Sequence, residues 1–229
     1  MCGYLGNVID SPLTRALMLI LRVDFGEYPF RNNPGSGPAA SIDIVLERDG
    51  RRVVSPAVWW LLLNPSEGLK PSRYTSFNTR SDKLNVAGSA GAKPFRSSRC
   101  VIPAAYIIEG EGAKGARRYH RIEPRHTAFA LGGLYREWVN PETGQQVLSC
   151  SVITLPPHPA LADVHSKSTP LFLPNDPTVI DRWLSPAVTD VEEFAPLLQP
   201  SWPEPLRCTP IERPGNPVAI GDAFDVPPG

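Results

Sequence analysis

The chain has 229 residues and a mass of 25.0 kDa, and its 23 Lys and Arg balance 23 Asp and Glu. That length suits one domain, residues 1–229, with a core that needs no staple. A hydrophobic share of 41% excludes a disordered chain, and zero net charge excludes a uniformly basic nucleic-acid coat or an acidic solvating tail.

Other classes fall away as quickly. The longest apolar runs, such as Ala57 to Leu63, are too short to cross a bilayer. No basic-then-apolar leader precedes a small-residue cleavage site, so a soluble, cytoplasmic protein without membrane contact is expected. Cys2, Cys100, Cys150 and Cys208 stand far apart with no Cys-x-x-Cys pair, so neither a zinc site nor a disulfide framework is expected. The 27 prolines amount to about 12%, against a usual ~5%, and predict short elements between many turns.

In chain order, residues 15–23 are a run of good helix formers, and 31–39 read as a loop. Ile42, Ile44 and Leu46 alternate with smaller or polar residues as in a half-buried strand. Asp49-Gly50 turns that strand into a return through Val53 and Val54 towards Val58. Residues 64–94, polar and interrupted by glycine, read as a long loop. Three apolar stretches, 99–108, 127–135 and 147–154, read as strands. Asp176-Pro177 opens a short helix to Leu184, and Thr189 with Glu192 forms a capping-box pattern for another. The last 30 residues carry eight prolines and are expected to wrap over the surface. The pattern predicts an α+β fold with a mainly antiparallel sheet.

Charge is unevenly placed. Residues 70–100 hold seven basic side chains against Asp82, and 114–126 hold five against Glu123, while 175–229 carry nine acids and three bases. A basic groove on a neutral protein suits contact with a nucleic-acid backbone; a solvated basic loop is the alternative.

The chemistry begins at Cys2. Aminopeptidases remove an initial methionine when the next side chain is small. Cys2 would then carry a free amine and a free thiol, with reference pKa values of about 7.7–8.0 and 8.5. A 1,2-aminothiol has a distinctive reaction with aldehydes: the amine forms an imine and the thiol closes on the same carbon, giving a thiazolidine. Gly3 leaves the approach open.

Met-Cys-Gly starts occur in N-terminal-nucleophile glutamine amidotransferases and in the SOS response-associated peptidase (SRAP) family. The Asn-Gly-Asp and Gly-Asn-His motifs of the first group are missing here. The second pattern recurs in order. Phe77-Asn78-Thr79-Arg80-Ser81-Asp82 resembles the SRAP Asn-Ala-Arg-Ser-Glu segment, and Phe95 to Ala104 resembles its Phe-x-x-x-Arg-Cys-Leu-Ile-Pro-Ala segment, followed five residues later by Glu109. Phe129 to Tyr135 resembles the Phe-Ala-x-Ala-Gly-Leu-Trp strand, and Ser151 to Thr154 followed by His165 resembles the Ile-Thr strand leading to His-x-Arg-Met-Pro. The resemblance spans about residues 1–184.

It implies a barrel-like β core with short peripheral helices and a protein that attaches covalently to abasic sites in single-stranded DNA. On that basis Cys2 bonds the ring-opened sugar aldehyde, Asn78 holds the sugar or the first residue, Glu109 is a partly buried acid, and His165 is a second acid/base. Arg80, Lys83, Arg96, Arg99 and Lys167 contact DNA backbone. The same groups imply autoproteolytic and lyase-type chemistry. The implied partner is single-stranded DNA or a single-/double-strand junction holding an abasic site. No metal or organic cofactor is implied, and a monomer is expected. Two other readings stay open: an N-terminal cysteine amidohydrolase and a non-catalytic single-strand binder. Departures from the pattern are Tyr4 in place of a basic residue, Gly110 in place of tryptophan, the longer His165-Ser-Lys-Ser-Thr-Pro170, and Thr209 to Pro214 in place of an Asn-rich segment.

Overall fold

The computed structural model describes residues 3–8, 10–23, 31–113 and 115–229. The chain opens with β1 (Leu5–Asn7), α1 (Pro12–Leu21) and β2 (Asn33–Ser36). The helix starts at Pro12 because Ser11 accepts the Leu13 amide and proline pre-sets the first turn. It ends where Arg22 turns left-handed at φ 52°, and it buries Leu17, Met18 and Leu21.

β3 (Ser41–Arg48) and β4 (Arg51–Val58) form the expected hairpin. Asp49 and Gly50 have φ of 51° and 72°, the left-handed pair a tight two-residue turn requires. Segment 64–94 is less of a loop than expected. It holds the small ladder of β5 (Leu63–Asn64) and β6 (Lys70–Pro71), then β7 (Asn78–Arg80). β7 reads as polar yet buries Thr79, whose hydroxyl meets that of Ser151 at 2.8 Å.

After α2 (Ala92–Ser97), the run expected as one strand, 99–108, is two: β8 (Arg99–Ala104) and β9 (Tyr106–Glu111). They lie in different sheets, separated at Ala105, whose amide bonds Gly6 O at 2.8 Å. β8 is buried on both faces, so no alternation marks the break. Next come β10 (Arg118–Pro124), β11 (Phe129–Val139), β12 (Gln146–Leu155), β13 (Thr169–Pro170) and α3 (Pro177–Leu184).

The capping box at Thr189 is not used. Asp190 caps instead, accepting the Glu192 amide, and the turn that follows is a 3₁₀ helix, Val191–Leu198, containing Pro196. The C-terminal segment is also more regular than a surface wrap: β14 (Leu206–Arg213), β15 (Asn216–Ala219) and β16 (Phe224–Val226) join a sheet. Leu206, Cys208 and Ile211 point apolar groups into it, and that burial decides the matter against the prolines.

Strands β11-β8-β3-β4-β12 close into a barrel through the β11–β12 pairing, with β7 and β13 attached to β12. The second sheet runs β15-β14-β10-β9-β1-β2, with β16 on β14. The barrel interior is filled by Ile44, Leu46, Ile102, Leu131 and Val152, and a second cluster packs α1 and α3 on the outside through Leu17, Leu21, Val101, Ile153 and Trp183. This is the α+β, mainly antiparallel fold that the residue pattern predicts, with the barrel-like core and short peripheral helices that the resemblance implies.

Arg99 departs from its expected role on DNA. It is 2% exposed, and its guanidinium donates to the carbonyls of Phe95, Trp183, Ser185 and Val188. It stacks on Phe194, 4.7 Å from the ring centre, and burial lowers its pKa only to about 10, so it stays charged. Arg99 ties α2 and α3 to the barrel: four of its five N–H groups are committed to these carbonyls, and its burial keeps it from a phosphate.

A cleft at the start of the chain

β1 seats the start of the chain beside the candidate acid. Leu5 pairs with Ile107 and Gly6 with Tyr106, and the Ile108 amide bonds Tyr4 O at 2.9 Å. The Tyr106 ring lies across Gly6, where a Cβ would come within 2.1 Å of it, so glycine permits this close seat. Carried two residues further, the register sets Gly3 opposite Glu109. Both line a cleft of about 320 Å³, together with Tyr4, Phe77, Ile108, Gly110, Arg117, Tyr119, His165, Lys167 and Pro214.

Glu109 follows an apolar strand and is 4% exposed. Burial disfavours its charged form and raises its pKa to about 7, so a proton is at hand near neutrality. His165 arrives from the turn after β12 and is equally enclosed. Burial lowers its pKa to about 4, with Lys167 acting in the same direction. Its Nδ1 lies 3.2 Å from Gly110 O. A carbonyl only accepts, so Nδ1 carries the proton and Nε2 the lone pair.

Glu111 fixes that turn. Its carboxylate accepts the Ser166 amide at 2.7 Å, and this bond holds the Glu111 pKa below the usual range. His158, the other histidine of this region, accepts the Ala160 amide through Nδ1 and stacks edge-on against Trp202 at 4.6 Å, a local structural role.

Cys2 lies outside the described residues, as does Lys114 of the basic 114–126 run. Glu109, His165 and Lys167 come together in the cleft. Asn78, half-buried, opens β7 directly after Phe77, a cleft residue, and pairs in register with Val152. Arg80, Lys83, Arg96 and Arg99 do not line the cleft. Arg80 is exposed and grips Asp82 through Nε and Nη2 at 2.9 and 2.8 Å; Arg96 is exposed and donates to Ala92 O. Lys83 is exposed on the turn after β7.

Arg117 and Tyr119 line the cleft and are absent from the sequence-derived site. The basic run containing Arg117 was the available signal, but β10 was hidden because charged side chains occupy most of its outward positions. Among the described residues, no group of three or more His, Cys, Asp and Glu could hold a metal ion, and no helix is long and apolar enough to cross a membrane.

The barrel, the second sheet and the cleft lined by Gly3, Glu109 and His165 define a small, mainly antiparallel β protein with few short helices. The chain belongs to the SOS response associated peptidase (SRAP) family, whose profile matches residues 1–217. It is 29% identical over 187 residues to the abasic site processing protein YoqW of Bacillus subtilis, covering 76% of this chain and 75% of that protein. It is 28% identical over 187 residues to YobE of the same organism, also named an abasic site processing protein, covering 76% and 77%. The fold is shared with crystal structures of a Bacteroides thetaiotaomicron protein (TM-score 0.70, 17% identity, 97% of this chain and 100% of that one) and a Bordetella bronchiseptica protein (0.69, 17%, 93% and 100%).

Proposed function

We propose that this protein processes abasic sites in DNA by trapping them covalently through Cys2 once Met1 is removed. The carrying observation is that Gly3, the residue bonded to Cys2, shares a cleft with a protonatable buried carboxyl and a neutral imidazole. Family membership and two relatives named for abasic site processing support the same reading.

The chemistry balances with the groups present. The closed sugar opens when a base takes the proton of its anomeric hydroxyl and an acid protonates the ring oxygen; Glu109 supplies that proton and His165 Nε2 accepts the other. The Cys2 amine adds to the aldehyde carbon, and water leaves to give the imine. The thiol then adds to the same carbon, its proton passing to the nitrogen, and the thiazolidine closes with one water released overall. Asn78 orients the sugar or the amine. Lys167 contacts a flanking phosphate, and Arg80, Lys83 and Arg96 extend a sequence-neutral grip on single-stranded DNA outside the cleft. A nucleophile, an acid and a base at one place also serve cleavage of the Met1 peptide bond and lyase-type elimination.

The test is incubation of the processed protein with single-stranded DNA bearing one abasic site, followed by a denaturing gel. A heat-stable adduct that disappears in Cys2→Ala is expected. Equal adduct from Cys2→Ala overturns the mechanism, and glutaminase activity without adduct would establish the amidohydrolase instead.

A further inference from the structure

An abasic nucleotide offers its protein a sugar and phosphates but no base. The cleft nevertheless carries three aromatic rings, Tyr4, Phe77 and Tyr119, beside the cations Arg117 and Lys167. A pentose fills only part of such a volume, and it has no flat face for a ring to cover.

Tyr119 owes its place to Gly110. The two are cross-strand partners on β10 and β9. A Cβ at position 110 would come within 2.8 and 2.9 Å of Cε1 and Cδ1 of the Tyr119 ring, and within 3.7 Å of the Arg117 Cδ. The missing side chain is thus occupied by the ring and the arginine stem. Tyr119 is half-buried, rests on the apolar patch of Ile108 and Ile211, and borders the cleft. Its backbone is held in the β9–β10–β14 ladder, so the ring sits on a rigid element.

We infer that Tyr119, with Arg117 beside it, is a stacking platform for the nucleobase adjacent to the abasic sugar, and so sets which flanking sequence is captured fastest. This rests on the abasic-site reading above. A tyrosine ring accepts the flat face of any base, purines offering the larger overlap, and a guanidinium next to it holds the accompanying phosphate.

The experiment compares oligonucleotides in which the base on one side of the abasic site, then the other, is a purine, a pyrimidine or a tetrahydrofuran spacer lacking both base and aldehyde. Adduct rate is measured with wild type, and affinity by anisotropy with Cys2→Ala, so binding is read without the covalent step. Replacing the neighbouring base by the spacer on one side is expected to weaken affinity and slow capture by between about five- and a hundredfold, the range of one base–aromatic stack. Tyr119→Leu keeps the apolar packing but removes the ring face, and it should abolish the difference between base and spacer; Tyr119→Phe should retain it. Melting curves confirm that both variants fold. Indifference of wild type to the flanking base on both sides, or an unchanged base dependence in Tyr119→Leu, overturns the platform. A wild type that forms no adduct but whose affinity follows the flanking base through Tyr119 overturns covalent capture and leaves the platform standing.

Discussion

His165 Nδ1 lies 3.6 Å from Glu109 Oε2, yet the two are not an ion pair. The imidazole gains its proton only near pH 4 and the carboxyl loses its own near pH 7, so opposite charges never coexist in the neutral range. Between about pH 4 and pH 7 both side chains are therefore mainly neutral, a condition imposed by burial.

That arrangement fixes a pH profile for adduct formation. The Cys2 amine must lose its proton, with a reference pKa of about 8, and Glu109 must keep its own, with a pKa of about 7. The rate should trace a bell centred between them. In Glu109→Gln the falling limb should vanish and the rate drop by roughly two to four orders of magnitude. Single-turnover rates from pH 5 to 9 check this, and an unchanged falling limb in the variant assigns it elsewhere.

Stability should carry the same signature. The folded pKa of Glu109 is raised above its ordinary 4.5, so its contribution is fully present below pH 4.5 and is lost as pH rises through about 7. Ionising it in the folded protein costs on the order of 3 kcal/mol. Glu109→Gln should therefore match wild type near pH 4.5 and melt higher at pH 8. His165 has the opposite sign, its contribution being lost as pH falls from 6.5 through about 4, so wild type alone shows a flattened profile. Thermal melts of both proteins at the two pH values decide it; a constant offset would refute the buried-carboxyl account.

Glu111 acts through Ser166. Glu111→Gln should leave the melting temperature within a few degrees, since the carboxylate is solvent-accessible, while the His165 turn loses its charged anchor. Misplacing a base by an ångström costs up to about a hundredfold, so adduct formation should fall about ten- to a hundredfold. DNA affinity measured in the Cys2→Ala background should not change. A loss of affinity equal to the loss of rate would make Glu111 a binding residue.

The arginines separate by burial. Arg99→Met leaves four carbonyls without their donor and should destabilise by about 3 kcal/mol or more, with DNA binding lost only as the fold is lost. Arg96→Ala should leave the melting temperature unchanged and reduce the salt dependence of single-strand binding by about one counterion. The reverse pattern would return Arg99 to the DNA surface.

Much of this was readable beforehand. The hairpin at Asp49-Gly50, the α3 cap at Asp176 and the buried strands each carry a local signal: left-handed turn residues, an acid before proline, or an unbroken apolar run. The family pattern singles out Glu109 and His165 after two strands, and the fold brings the two into one cleft; their roles in catalysis are a proposal. The division of 99–108 at Ala105 was not, because a strand buried on both faces has no period to break. Arg99 was misread because charge in a sequence says nothing of burial, and its partners are carbonyls up to 89 residues away. Tyr119 was invisible for a related reason: its place depends on the side chain that position 110 lacks across the ladder.

The proline-rich final segment has a protective consequence. β14 pairs with β10 from Tyr119 to Pro124, and Pro214 closes one side of the cleft. Cutting the chain before Leu206 would strip β10 to a bare rim of unpaired amides and carbonyls with Ile122 newly wetted, an invitation for a second copy to dock edge to edge. Such a truncated protein should form aggregates even though the five barrel strands remain whole.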